Sequence, residues 1–408
     1  MEYLKLNSIK LETTMLGTKV MYDYDAPACF NKYTKGDHLF IEYPGDLRNV
    51  PESILTIPFV GIMLTVGMLL DISICVPSLD EEFYRSIGRV ETVFRKMYPR
   101  AGFHINLYAD ILNKLQSPLP PPKNNCSLFF TGGVDATSAL AELAGNKPLL
   151  INIWGGDIRL TDCDSHEALE EYLEQLTKHL GLDYCFIKTN AREMFKEDEL
   201  GHLCGRLIGK RKNHGWWASI AHILTMVSAT MPWLYFNGIN DHYIGSSYDG
   251  QKKTLDANND DMVAAISIDY CVIHMADYAT DRNEKIKKII DFNRETGAHV
   301  SLKVCWNRTA GRNCSDCEKC YRTILGIISN HGNPNDLGFD VGEKTLLKIK
   351  SFLSENLVNA GFWRTIIIKF QKECEYWRKY PELAWILEVK LNSFGVYARK
   401  IRKKLFQH

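Results

Sequence analysis

Short apolar runs bounded by turn residues recur through the middle of the chain. They are Ser127-Leu-Phe-Phe130, Pro148-Leu-Leu-Ile-Asn-Ile-Trp154, Tyr184-Cys-Phe-Ile-Lys188 and Trp233-Leu-Tyr-Phe236. Each has the length and composition of a strand. Helical patterns lie between them. Residues 136–144 are helix-compatible, 165–180 repeat apolar positions at helical spacing and stop at Gly181, and 216–229 read as a buried helix. Alternation of this kind predicts an α/β fold, a parallel sheet with helices on both faces. Ligands of such folds bind beyond the carboxyl ends of the strands.

The flanks have other rhythms. Residues 1–122 hold short β-like runs and a helical stretch near 81–97, which predicts an N-terminal α+β domain. The stretch Ser117-Pro-Leu-Pro-Pro-Pro122 reads as a linker, because consecutive prolines continue neither a helix nor an interior strand. Residues 331–408 read as a helical, basic C-terminal extension. The expected division is therefore 1–122, 123–330 and 331–408, in keeping with 408 residues. One apolar segment, 53–70, carries no charge over 18 residues, the lower edge of a membrane span. It contains Pro58, Gly61 and Gly67 and is closed by Glu52 and Asp71, so a buried element is expected and no membrane association. The first residues, Met-Glu-Tyr-Leu-Lys-Leu, lack the basic-then-apolar pattern of a signal peptide, which leads us to expect a cytoplasmic protein.

Composition sharpens this picture in two places. The chain is 45% hydrophobic and 24% charged, with 49 basic and 49 acidic residues. Zero net charge gives no support for a generic polyanion binder. The local exception is 341–408, with 14 Lys/Arg against 6 Asp/Glu, most concentrated in Arg399-Lys-Ile-Arg-Lys-Lys404. A solvated helical face is the plain reading, and contact with nucleic acid or an acidic partner is the sharper one. Twelve cysteines are many for a chain with no export pattern, and four of them fall within 16 residues.

Two segments carry candidate chemistry. In Cys126-Ser-Leu-Phe-Phe-Thr-Gly-Gly-Val-Asp-Ala-Thr-Ser138 a strand runs into Thr131-Gly132-Gly133 and a helix follows. Paired glycines permit a sharp turn and present N–H groups outward, and the helix adds its positive end. Thr131 and Thr137 offer hydroxyl donors, and Asp135 is placed to hold either the loop or a Mg²⁺. The Gly-Lys-Ser/Thr of a Walker A loop is absent. The second segment is Cys305-x8-Cys314-x2-Cys317-x2-Cys320. Four thiolates suit a closed, structural tetrahedral zinc site. An iron–sulfur cluster and unmetallated buried cysteines are the alternatives.

The loop, residues 131–137, resembles the pyrophosphate loop Ser-Gly-Gly-x-Asp-Ser-Ser/Thr of the N-type ATP pyrophosphatases (PP-loop, adenine nucleotide alpha hydrolase-like). Thr131 stands for the first serine and Ala136 for the second, which removes one donor. The run from Val304 to Thr323 is similar to the zinc motif of the 7-cyano-7-deazaguanine synthase (QueC) family, including the arginine, here Arg322, after the last cysteine. Trp154-Gly155 stands where that family has Tyr-Gly. Gly238-Ile-Asn240, with Asp241, Ser246, Ser247, Tyr248 and Asp249, resembles its Gly-x-Asn…Asp-x-Ser-Gly-Tyr-x-Asp stretch at altered spacing. Ile273-His274 with Arg282 and Glu284 resembles its Ile-His…Lys-x-Glu, and Arg211-Lys-Asn213 its Arg-Asn pair. The likeness covers about residues 125–330.

The resemblance implies an ATP-dependent ligase. The triphosphate, with Mg²⁺, would be held by Thr131, Gly132, Gly133, Val134, Asp135 and Thr137, with Trp154 and Gly155 also at the nucleotide. Asp135 and Arg282 would be the catalytic groups, and Asn240 and Asp249 the contacts to the substrate. The zinc on Cys305, Cys314, Cys317 and Cys320 would be structural, walling a base pocket. The substrate would be a 7-deazaguanine carboxylic acid, activated as an acyl-adenylate and passed to ammonia, an amine or a protein acceptor to give an amide, nitrile or conjugate. Long relatives occur in antiphage defence operons, and a homodimer is expected. Two other readings are carried beside it. One is a tRNA-modifying relative using a persulfide, for which Cys204 is the candidate. The other is a non-catalytic interaction protein that keeps the zinc module. His202, His214, His222 and His242 read as packed or exposed rather than ligating, and Trp216-Trp217 as core or dimer contact.

Overall fold

A computed structural model describes residues 2–36, 38–114, 123–209, 215–248, 256–305, 311–372, 380–393 and 397. The linker at 117–122 and the basic run at 399–404 lie outside these residues. The chain divides into two compact units, Met1–Phe130 with Glu142–Ala279, and Thr131–Ala141 with Thr280–His408. The expected limits at 122 and 330 follow sequence order, whereas these units each take two separate stretches of chain.

The first unit is built on one ten-stranded sheet. Its strands are β1 (Tyr3–Thr13), β2 (Thr18–Asp25), β3 (Phe40–Tyr43), β4 (Ser73–Asp80), β5 (Asn106–Asn113), β6 (Ser127–Phe129), β7 (Leu149–Trp154), β8 (Tyr184–Thr189), β9 (Asp241–Gly245) and β10 (Val272–Ala276). The order across the sheet is β10-β9-β6-β7-β8-β3-β2-β1-β4-β5. Pairing is parallel in both wings and antiparallel only through β1, β2, β3 and β8. With the thirteen α-helices that both units contain among the described residues, this is an α/β fold with a mostly parallel sheet.

Strands from residues 1–122 and from 123–280 share that sheet, and β3 against β8 is the join. Hydrogen bonds fix it. The Asn190 amide accepts from Phe40 N–H at 2.9 Å and donates to the His38 carbonyl at 2.9 Å, and the Thr189 hydroxyl donates to the Phe40 carbonyl at 2.8 Å. The backbone groups beside this join are thereby satisfied, as burial requires.

The charge-free segment forms two helices, Glu52–Leu55 and Ile57–Leu70. The stretch Glu52–Leu70 is long and apolar enough to cross a membrane by composition, but 94% of its most apolar window is buried inside the protein. Ile57–Leu70 is apolar all round, the pattern of a central helix. It ends at Asp71 in the left-handed conformation. Its neighbour is the helix His222–Phe236, also apolar all round. Gly61 permits the crossing, since a Cβ there would lie 2.3 Å from Ser228 Oγ.

One expected strand is overturned. Trp233-Leu-Tyr-Phe236 is the last turn of the helix His222–Phe236, not a strand. A short buried apolar run reads alike as strand or helix, and Pro232 lies inside this helix. The helix continues through it in a fully buried setting, where Ser228 and Thr230 return their hydroxyls to the Leu224 and Met226 carbonyls at 2.6 and 2.9 Å. Trp216 and Trp217 precede it, buried in the core of the first unit.

The second unit has its own core. Val134, Ile286, Leu302, Val304, Cys320, Ile324, Ile328, Trp363 and Phe370 form its centre. Its main helices are Arg282–Thr296, Glu318–Ser329, Glu343–Glu355 and Ala360–Lys372. The first opens on a capping box, Asp281 with Glu284, and closes on Gly297 in the left-handed conformation. Beyond residue 330 the described elements are helical, as expected of the C-terminal extension.

Two tests follow from the first unit. Gly61→Val forces a side chain into Ser228, and chemical denaturation should show a loss of about 1–3 kcal/mol, the usual cost of overpacking a core. A variant as stable as the parent contradicts the Gly61–Ser228 approach. His242 is fully buried, takes a 2.8 Å hydrogen bond between Nδ1 and Ser127 Oγ, and meets the edge of Phe129. Burial, helped by repulsion from His274, pushes its pKa down to about 3. The unfolded chain therefore takes up a proton below about pH 6.5 that the folded one refuses, and stability falls with acidification at up to about 1.4 kcal/mol per pH unit. His242→Gln should flatten the stability–pH slope between pH 6.5 and 5; an unchanged slope counts against the neutral buried ring.

Candidate functional site

The glycine turn belongs to the second unit. Gly132 has φ +73, the left-handed region that only glycine enters freely. Its carbonyl accepts from Lys303 N–H at 2.7 Å. A trans peptide sets the next N–H antiparallel to that carbonyl. The Gly133 amide is therefore directed away from Lys303, toward the Thr131 hydroxyl at a long 3.4 Å. So weak a contact leaves the amide ready for a stronger acceptor. The helix Val134–Leu143 starts at once, with Thr137 N–H on the Gly133 carbonyl at 2.9 Å. Val134 anchors this start in the core.

Cations converge behind the turn. Asp135 is held by Lys285 Nζ at 3.2 Å and by Arg282 at 3.6 Å. Both carboxylate oxygens are engaged, so Asp135 ties the turn to the helix Arg282–Thr296. Lys285 is almost completely buried. Arg322 is 4% exposed, and Arg282 lies close enough to oppose its charge. Burial, and then Arg282, pull its pKa down to about 10. Among the described residues of this unit, five buried polar atoms have no hydrogen-bond partner: Thr137 Oγ1, Arg282 Nε, Asn283 Oδ1, Arg322 Nε and, away from the turn, Trp385 Nε1. Buried donors without acceptors cost stability unless something else fills the role.

The four cysteines meet. Their Sγ atoms all lie within 4.8 Å of one another. Cys305 and Cys317 are 3.9 Å apart, as are Cys314 and Cys320. A tetrahedron with metal–sulfur bonds of ~2.3 Å has edges of about 3.8 Å, so one ion fits at the centre. The surroundings suit thiolates. Cys314 N–H points at Cys305 Sγ and Asp316 N–H at Cys314 Sγ, each at 3.4 Å. The turn is braced: Ser315 is held in the left-handed region at φ +52, with Asp340 N–H on its hydroxyl at 2.9 Å. Asp316 accepts from Tyr321 and from Lys348.

Asn313 ties the knuckle to the strand-like segment that carries Cys305. Its Oδ1 accepts from Val304 N–H at 2.9 Å and Cys305 N–H at 3.2 Å. Its Nδ2 donates to the Leu302 and Gly338 carbonyls at 2.7 and 2.9 Å. Segment 302–305 thus bonds the knuckle on one side and, through Lys303, the glycine turn on the other.

The other expected residues that are described, Trp154 and Gly155 among them, belong to the first unit. The Trp154 indole is stacked on His166 at 3.8 Å, lies under the Lys188 ammonium and donates to the Arg159 carbonyl. Gly155 has φ +103, and a Cβ there would lie 1.7 Å from the Thr189 carbonyl oxygen, which is reason enough for a glycine. Asn240 is an exposed turn residue of the first unit whose carbonyl accepts from Val272 N–H. Asp249, Arg211, Asn213 and His214 lie outside the described residues. His202 is exposed, His222 packs on Trp217, and His242 is core. Cys204 is fully buried.

Lys285 and Asn313 went unassigned in the sequence, and Arg322 had no role beyond its place in the motif. Lys285 leaves a trace, a lysine within the apolar stripe of Ile286, Ile289 and Ile290. Asn313 has none beyond its place beside Cys314. No family model matches the chain, and no curated protein or solved structure matches it either.

Metal analysis of the purified chain should return about one zinc per chain. Cys317→Ser should lose it and lower the melting temperature, because a structural zinc contributes folding energy outright. Full stability and unchanged metal content in that variant would contradict the four-thiolate site.

Proposed function

We propose that the second unit holds the triphosphate of ATP on the Thr131–Thr137 turn and that the chain is an adenylating ligase of the deazaguanine synthase type. One observation carries the reading. A glycine turn of the pyrophosphate-loop pattern is bonded to the extended segment 302–305 that ends in a four-cysteine cluster. Around it, among the described residues, the three cations Arg282, Lys285 and Arg322 gather near Asp135, with Glu318 also near Arg322.

The chemistry follows from charge. A substrate carboxylate oxygen attacks the α-phosphorus and the bond to the β-phosphate oxygen breaks, giving an acyl-adenylate and pyrophosphate. Negative charge grows on the leaving pyrophosphate, where Arg282 and the loop amides stabilise it more strongly than in the ground state. Mg²⁺ bound to the phosphates supplies further charge neutralisation. Ammonia or another amine then attacks the acyl carbon, AMP leaves, and the amine's extra proton passes to solvent. Asp135 keeps the loop in place and no protein nucleophile is needed. Cys305, Cys314, Cys317 and Cys320 would hold a zinc with their four thiolates, and a zinc so bound would shape the site without serving as a Lewis acid.

The proposed substrate is a 7-deazaguanine carboxylic acid. The product is an amide, nitrile or protein conjugate, made in the cytoplasm, and antiphage defence is the proposed setting. A persulfide mechanism draws no support from Cys204, because a sulfur carrier must reach solvent and this thiol does not.

The test is ATP–pyrophosphate exchange with deazaguanine and other purine-like carboxylates. Gly133→Val is the informative variant. A Cβ at Gly133 meets only Thr131 Oγ1 at 3.4 Å and Lys303 O at 4.0 Å, so the side chain fits without a clash but stands before the amide. Exchange should fall by at least about 100-fold, the scale of losing oxyanion-type donors, with the melting temperature little changed. Absence of exchange by the parent with every carboxylate would leave the non-catalytic reading.

A further inference from the structure

The C-terminal extension reaches the cation cluster through one ring. Phe362, in the helix Ala360–Lys372, lies with its face 4.3 Å from the Arg322 guanidinium carbon. Both residues belong to the second unit. The ring is 45% exposed, whereas Arg322 is 4% exposed. Glu318 and Asp135 attract the Arg322 charge, but among the described residues neither forms an ion pair with it, and its Nε has no hydrogen-bond partner. Its helix is fixed from the same side: Trp363 Nε1 donates to Glu318 at 3.2 Å and Lys369 Nζ to Asn330.

We propose that Phe362 is a positioning residue that holds the Arg322 guanidinium flat, so that its in-plane N–H groups meet a phosphate oxygen of the nucleotide's pyrophosphate. This rests on the adenylation reading for the identity of the ligand. The physics is that of a planar cation on a π-face. An aromatic ring attracts the guanidinium through its quadrupole and occupies a face that carries no donors. The five N–H donors lie in the plane and stay free. A carboxylate would hold Arg322 equally well but would consume those donors and neutralise the charge. A phenyl ring does neither. It also excludes water from one side, which strengthens the attraction to an anion. The extension beyond residue 330 thereby gains a role in the site: it supplies the surface against which an arginine of the metal knuckle's helix is aligned.

The experiment measures inorganic pyrophosphate binding by calorimetry, on the full-length zinc-bound chain, for the parent, Phe362→Leu, Phe362→Ala and Phe362→Tyr, alongside exchange kinetics. Leucine keeps the apolar bulk and loses the quadrupole, so folding is not at issue. Phe362→Leu and Phe362→Ala should bind pyrophosphate about five- to tenfold more weakly, the scale of one partly desolvated cation–π contact, and Phe362→Tyr should match the parent. In exchange, KM for ATP should rise by a similar factor with kcat little changed, while zinc content and melting temperature hold. Parent-like pyrophosphate binding by Phe362→Leu, or failure of tyrosine to restore it, overturns the inference. So does a parent that binds no pyrophosphate. Phe362-dependent binding without any exchange would overturn the adenylation reading alone; exchange indifferent to Phe362 would overturn only the positioning role.

Discussion

The segment 302–305 is held from two sides, and the site depends on that. Lys303 N–H fixes the Gly132 carbonyl, and the peptide geometry then directs the Gly133 amide. Two residues on, Cys305 contributes its sulfur to the tetrathiolate cluster, and Asn313 spends its whole hydrogen-bonding capacity to keep segment and knuckle together. A loop free to sample other turns would pay the entropy of ordering when a ligand bound. Here the bonds of segment 302–305 to the knuckle order the turn during folding, and a metal held by the four thiolates would stiffen it further.

The electrostatics point the same way. Lys285 and Arg282 both pair with Asp135, and Arg322 stacks on an aromatic ring, with Glu318 and Asp135 near enough to attract its charge. Burying charge is costly, a cost that a bound anion would offset. The unsatisfied Thr137 hydroxyl and Arg282 and Arg322 Nε groups are the same statement in hydrogen bonds. Ala136 removes one hydroxyl from the pattern of the pyrophosphate loop, and its side chain is buried, so the loss is on the helix's inner face.

Much of this was legible in the chain, and the failures have causes. The strands β6, β7 and β8 and the helix Cys163–Leu180 were readable because period and turn residues agreed. The cysteine spacing announced its convergence, since Cys-x2-Cys turns need no long-range information. Trp233–Phe236 misled because a short buried apolar run looks alike as strand or helix. The joining of β3 to β8 was invisible, because strand pairing across some 150 residues leaves no local mark. Lys285 and Asn313 were missed for a similar reason: their roles exist only against Asp135 and segment 302–305. Trp154 and Gly155 had motif positions, but His166, Lys188 and the Thr189 carbonyl give them structural work within the first unit.

The most direct measurement is a crystal structure of the zinc-bound chain with ATP made non-cleavable by a methylene between its α- and β-phosphates. The account predicts phosphate oxygens within hydrogen-bond distance of the Gly133 amide and the Arg282 guanidinium, with the tetrathiolate site metallated beside them. A nucleotide bound elsewhere, or no binding by a fully metallated chain, would contradict it.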